Sequence, residues 1–170
     1  SGSHPEGITY TTYEKIAKAA QLRRFKLILD TSADFVPDLL KYRPYLIKPN
    51  DEELAEWFGL INPSLEEIKD CGQKLLEKGA ENVLVSLGEK GAILFTPTET
   101  IHVTAPKGEV VNTACAGDTL LATFVGSQLL GLSDEQALIK AVAAGSSTAF
   151  RPGLTDFSDV PTLMQQIKRI

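Results

Sequence analysis

The sequence predicts an α/β fold in which a mostly parallel sheet is covered by helices on both faces, a three-layer sandwich. Three observations lead there. Short apolar runs alternate with helical stretches almost from end to end, turn residues mark each switch, and several helical stretches open on capping residues or close on glycine. Ligands of such sheets collect at the carboxyl ends of the strands, so the segments just after each strand are where function is sought.

A helical pattern covers Thr12 to Arg23, and the apolar run Phe25 to Asp30 then reads as a buried strand ending on a polar residue. A shorter helix is read over Phe35 to Tyr42, followed by a strand over Tyr45 to Lys48. From Asn50 the pattern is helical again, with Gly59 placed to end it. Ser64-Leu65-Glu66-Glu67 matches a capping box, which opens a helix to Lys78 that stops at Gly79. Asn82 to Leu87 and Ala92 to Phe95 read as strands around a glycine turn, and Thr100 to Val103 as another. Pro106 to Ala114 reads as loop and strand leading into a long helix over Asp118 to Leu130. A second capping box, Ser133 to Gln136, begins a helix to Phe150, and a last helix is expected beyond Pro161.

A chain of 170 residues suits one ordinary domain, and 43% apolar with 23% charged residues is a globular composition. The net charge of −5, with no face gathering Lys and Arg, argues against nucleic acid as a partner. No apolar run approaches the roughly 18 residues of a membrane span and no secretory leader is recognisable, so no membrane partner is expected. Cys71 and Cys115 have neither metal-ligand spacing nor disulfide density, which makes the cytoplasm the expected compartment. The opening Ser1-Gly2-Ser3-His4-Pro5-Glu6-Gly7 has no initiator Met and no strand before it, as if the chain began inside a larger protein.

Four segments carry chemistry. In Asn112-Thr113-Ala114-Cys115-Ala116-Gly117-Asp118, small residues stand before a long helix, where backbone N–H groups and the macrodipole favour an anion. A carboxylate in the first turn there can take a proton from a hydroxyl. The plainer alternative is an N-cap Asp after a tight turn. Asn50 and Glu53 have capping-box spacing. Ser86-Leu87-Gly88-Glu89-Lys90-Gly91 reads as a glycine turn in a hairpin, and its glycines equally permit close approach of a phosphate or ribose. Val142 to Ser146 is a small-residue helix face, which close helix packing would explain. For Cys115 a packing role stands beside a thiol made reactive by the helix N-terminus.

In their order along the chain these segments, with Ser1 to Gly7, resemble the motifs of the ribokinase-like, or PfkB, carbohydrate kinases. In that family a Gly-Ala-Gly-Asp turn forms the anion hole and its Asp is the catalytic base. The resemblance assigns Cys115, Ala116, Gly117 and Asp118 to that turn, with Cys115 where the family has Gly. Lys48-Pro49-Asn50-Asp51-Glu52-Glu53 is similar to the family's Asn-x-x-Glu motif, which implies Lys48 and Asn50 at the nucleotide phosphates and Glu53 organising Mg²⁺ through water. Ser86, Leu87, Gly88, Glu89, Lys90 and Gly91 match the family's loop along the nucleotide, and Val142 and Ser146 its adenine pocket. Ser1 to Gly7 resembles a segment whose second Ser, here Ser3, lies near the phosphosugar, with His4 a solvated loop residue; His102 is read as structural.

The resemblance covers essentially the whole chain. It implies that residues 1–170 are the C-terminal ATP-binding and catalytic part of a ribokinase-like domain, lacking its N-terminal strands and lid. Asp30-Thr31-Ser32 followed by Lys-Pro-Asn resembles the 1-phosphofructokinase and tagatose-6-phosphate kinase branch. The implied function is ATP-dependent phosphorylation of a sugar phosphate, fructose 1-phosphate first, with ATP and Mg²⁺ as cofactors and a homodimer in the full-length protein. The alternatives are another sugar kinase of the family or a nucleotide-binding module without turnover. The isolated fragment is expected to be inactive.

Overall fold

The computed structural model describes residues 9–170, so Ser3 and His4 lie outside the described residues. Helix α1 (Tyr10–Arg23) ends where Arg24 enters the left-handed region at φ 57, its N–H meeting the carbonyls of Ala20 and Gln21. Phe25 N–H also bonds Ala20 O at 2.9 Å. This exit uses residues read from sequence as strand. The strand is correspondingly short, β1 (Ile28–Leu29), and Phe25 stays 67% exposed.

The helix expected over Phe35 to Tyr42 divides into α2 (Val36–Leu39) and a 3₁₀ turn, Leu40–Tyr42, that ends on Arg43 at φ 54. Strand β2 (Leu46–Ile47) lies parallel to β1, with Ile28 opposite Leu46 and Leu29 opposite Ile47. Asn50 caps α3 (Asp51–Phe58), and Gly59 ends it at φ 65, a conformation glycine adopts without strain. Ser64 caps α4 (Leu65–Glu77) with the expected capping box.

Strands β3 (Val83–Ser86), β4 (Ala92–Phe95) and β5 (Thr100–Val103) stand where the apolar runs placed them. The sheet order is β1-β2-β3-β4-β5, with β2 and β3 parallel through Ile47 and Val83. Leu87–Gly91 joins β3 to β4, and Thr96–Glu99 joins β4 to β5. Connections so short cannot make a parallel crossover, so these neighbours are antiparallel. The sheet is therefore mixed rather than mostly parallel. Among the described residues the sheet has five strands.

The strand expected within Pro106 to Ala114 is absent. The N–H groups of Val111 and Asn112 go instead to the carbonyl of Ala149, at 2.8 and 3.1 Å. Beyond this loop come α5 (Ala116–Leu129), α6 (Asp134–Ala149) with its Ser133 capping box, and α7 (Val160–Met164). The C-terminal residues return to β5: Arg169 bridges Val103 antiparallel, and Thr104 N–H meets Lys168 O at 2.9 Å. Sequence could not show this pairing, since a single bridge has no periodicity.

Contacts group the chain into two compact units, one of Ser1–Val85 with Leu94–Thr100 and one of Ser86–Ile93 with Ile101–Ile170. In the first unit Leu39, Leu46, Ile47, Leu54, Leu75 and Leu84 are fully buried, and Phe95 nearly so. In the second, Ile93, Ile101, Phe124, Leu138 and Ala141 form the core. Among the described residues no helix is long and apolar enough to cross a membrane.

Candidate functional site

The residues singled out from sequence fall into two groups, one in each unit. The first group sits at the carboxyl ends of β1 and β2. Because the two strands are parallel and in register, Asp30 and Lys48 each stand one residue past them, and Lys48 N–H bonds Leu29 O at 3.1 Å. The Lys48 ammonium lies 3.1 Å from Asp30 Oδ1, the two side chains being 7% and 12% exposed. Sequence reading missed this pair. Asp30 was visible as the polar end of a strand, but only the register joins it to Lys48.

Two residues on, Asn50 and Glu53 form a complete capping box. Glu53 N–H donates to Asn50 Oδ1 at 2.7 Å, and Asn50 N–H donates to Glu53 Oε2 at 3.0 Å. Glu53 is half-buried, and the box uses Oε2 alone. Capping and a water-bridged metal role are therefore compatible in this residue. Among the described residues no three His, Cys, Asp or Glu side chains stand together as a metal cage.

The second group is built on the start of α5. Asn112 Oδ1 accepts Ala114 N–H at 2.9 Å, an Asx turn that curls the chain into the helix. Cys115, not Asp118, is the N-cap residue: it takes φ 61 and ψ 4, and its carbonyl accepts Thr119 N–H at 2.9 Å. This corrects the reading of Asp118 as an N-cap. The helix opens at Ala116, two residues before the expected Asp118, which puts Asp118 in its first turn, exposed, where the helix dipole favours a negative charge. Cys115 is exposed too, so packing does not account for it; Cys71, 3% exposed, is the cysteine that packs. Burial raises the Cys71 thiol pKa above its usual value.

Helix α6 packs against this helix start. A Cβ on Gly145 would come within 3.0 Å of Ala116 O and 3.2 Å of Leu120 Cβ, so the small face of α6 serves close packing where it meets α5. Val142 is 3% exposed and Ser146 half-buried. Thr148 Oγ1 donates to Thr119 Oγ1 at 3.1 Å and accepts Thr155 N–H at 3.2 Å. Arg151 then holds Asp156 at 2.7 Å and Asp159 at 2.9 Å. The Ser158 hydroxyl and N–H, with Arg151, keep the Asp156 carboxyl well below the usual carboxylate range. This network fixes the segment after α6; its members are common surface residue types, and nothing in their spacing announced it.

The loop between β3 and β4 is a 3₁₀ turn, Gly88–Lys90, closed by Leu87 N–H to Gly91 O at 2.9 Å. Its two glycines differ. A Cβ on Gly91, at φ 95, would fall 1.9 Å from Val103 O, which is a structural demand. Gly88, at φ 56, has nothing within 4 Å of that position. It offers bare backbone to the outside, flanked by exposed Glu89 and Lys90, while Leu87 is buried and Ser86 half-buried. His102 is 7% exposed within β5, as a structural histidine should be.

A sequence profile described as pfkB family carbohydrate kinase matches residues 1–162. The chain is similar to a D-tagatose-1-phosphate kinase of Bacillus licheniformis, 49% identical over 99% of this chain and 56% of that protein. It is also similar to a 1-phosphofructokinase of Bacillus subtilis, 38% identical over 99% of this chain and 55% of that protein. Among solved structures, phosphofructokinase-2 from Escherichia coli in complex with substrates and products superposes with a TM-score of 0.89. The two are 26% identical over 97% of this chain and 55% of that one. The chain thus spans about half the length of the curated relatives it matches.

Proposed function

We propose, from the premise that the chain belongs to the pfkB family of carbohydrate kinases, that it carries the nucleotide site and catalytic base of an enzyme phosphorylating a ketohexose 1-phosphate with ATP. The observation that carries this reading is an exposed carboxylate, Asp118, in the first turn of a helix. The left-handed Cys115 and the small residues after it turn backbone donors toward the same end, where developing negative charge is favoured.

In this reading Asp118 accepts the proton of the sugar's C6 hydroxyl as the oxygen attacks the γ-phosphorus and the bond to the β,γ-bridging oxygen breaks, releasing ADP. The Gly117 N–H, with Cys115 and Ala116 shaping the turn, opposes the charge on the transferring group. Catalysis is then positioning and electrostatics, as phosphoryl transfer requires. Gly88 lets the nucleotide approach the backbone of the Ser86–Gly91 loop, whose Leu87, Glu89 and Lys90 set its course, with Val142 and Ser146 beside the adenine. Lys48 and Asn50 serve the phosphates. Glu53 suits Mg²⁺, which keeps its waters and asks for few carboxylates. When bound, the ion neutralises phosphate charge. Ser3 remains the proposed sugar-phosphate contact, and the homodimer remains the proposed state of the full-length protein.

Fructose 1-phosphate, giving fructose 1,6-bisphosphate, is the substrate read from sequence. A second reading is favoured by the relative at 49% identity, which is named for tagatose 1-phosphate. That name carries the 1-phosphate where the sequence reading had the 6-phosphate, and the 1-phosphate is the form carried forward. The deciding experiment is a screen of the full-length protein with ATP and Mg²⁺ against fructose 1-phosphate, tagatose 1-phosphate and the corresponding 6-phosphates. Turnover of a ketohexose 1-phosphate at higher kcat/KM than any 6-phosphate is expected. ATP binding with no turnover of any sugar phosphate would instead establish the binding module without catalysis.

A further inference from the structure

We infer that Asp30 is a positioning residue, one that holds Lys48 at the carboxyl ends of β1 and β2 so that its ammonium is already in place for nucleotide phosphates. The inference rests on the proposed nucleotide site and gives Asp30 a role that the resemblance did not assign it.

The first support is burial. At 7% and 12% exposure, Lys48 and Asp30 form an ion pair largely removed from water. In the pairs Lys18–Glu14, Arg151–Asp159 and Arg169–Glu135, by contrast, at least one side chain is more than a third exposed. Removing two charges from water carries a desolvation cost that their attraction often fails to recover, and apolar replacements of similar volume are frequently as stable. A buried pair is thus weak evidence of a stabilising role, and something other than stability has to account for it.

Placement is the second support. The pair lies in register across two parallel strands, one residue past their ends, which is where sheets of this class bind ligands. It also lies two residues before the Asn50–Glu53 capping box. An ammonium carries three donors, and one carboxylate oxygen leaves it capacity for a further anion.

Third, the residue after Asp30 is also organised without regard to the fold. Thr31 is 5% exposed, and among the described residues its buried Oγ1 has no hydrogen-bond partner. Buried hydroxyls in folded proteins are nearly always paired. The Asp30-Thr31 corner thus holds a charge pair and an unpaired hydroxyl together.

Asp30 cannot itself attract phosphates, since its charge has their sign. Its effect must pass through Lys48, by restricting a side chain that otherwise has four rotatable bonds. The test is a double-mutant cycle in the full-length protein, with Asp30→Asn, Lys48→Met, the double variant and Asp30→Glu. ATP affinity, kcat and the KM for the sugar phosphate are read for each.

Lys48→Met is expected to weaken ATP binding about tenfold or more, as for loss of a charged hydrogen bond. Asp30→Asn should weaken it severalfold while the KM for the sugar phosphate stays put, and Asp30→Glu should recover most of the loss. In the Lys48→Met background, Asp30→Asn should change ATP affinity by less than about twofold, because the two residues act as one unit. This last comparison is readable even if Asp30→Asn alone folds poorly. The inference is overturned if Asp30→Asn binds ATP as the wild type does, or if it weakens ATP binding as strongly without Lys48 as with it. It is equally overturned if Lys48→Met leaves ATP affinity unchanged. Failure of the kinase reading looks different: the wild-type protein itself would transfer no phosphoryl group.

Discussion

Cys115 occupies the left-handed region at φ 61, where a side chain meets the following carbonyl and glycine does not. Replacing it by glycine removes that strain, which is partly offset by the greater freedom of glycine in the unfolded chain. Cys115→Gly is therefore expected to raise stability by about 0.5 kcal/mol, with kcat unchanged or higher; a fall in the denaturation midpoint would contradict it. At the other end of the chain, Glu14 accepts hydrogen bonds from Tyr42 at 2.7 Å and Tyr10 at 2.9 Å and pairs with Lys18 at 3.2 Å. These partners, Tyr42 first, lower its pKa from 4.5 to about 2. A carboxylate whose folded pKa is depressed stabilises the fold above its unfolded pKa and loses that contribution as pH falls through the folded one. Wild type should therefore exceed Glu14→Gln in melting temperature at neutral pH, and the gap should close as pH falls from about 4.5 toward 2. A gap constant over that range would remove Glu14 from the account.

Elements were legible in sequence where local chemistry set them. The capping boxes at Asn50, Ser64 and Ser133 fix three helix starts, and Gly59 one end, because each is decided by residues within one turn. The start of α5 was placed two residues late, since nothing in a Cys announces a left-handed N-cap. The strand read within Pro106–Ala114 failed for a tertiary reason, its donors being taken by the end of α6. Packing between elements was equally invisible. Gly72 in α4 looks like an ordinary helix glycine, yet a Cβ there would lie 2.3 Å from the Phe95 ring, which is 1% exposed and has nowhere to turn. Gly72→Ala is expected to destabilise by about 1–3 kcal/mol despite alanine's better helix propensity. Chemical denaturation measures this, and a stabilised variant would show that the ring yields.

At the scale of the molecule, periodicity gave the α/β class and the order of its elements, while the mixed sheet comes from connections too short for a parallel crossover. The segments that bear on function were readable as segments; what sequence withheld was their geometry. It could not show that Asp30 faces Lys48, or that Gly88 is open while Gly91 is crowded. Each of these follows from register or packing between residues distant in the chain.

The central claim is that Asp118 serves as the base at the start of α5. It is tested most directly by Asp118→Asn in the full-length protein, with kcat and ATP affinity measured together. The account predicts a loss of about a thousandfold in kcat, with ATP affinity within about twofold of wild type because the side chain acts on the sugar hydroxyl. A variant that retained near-normal kcat would contradict it.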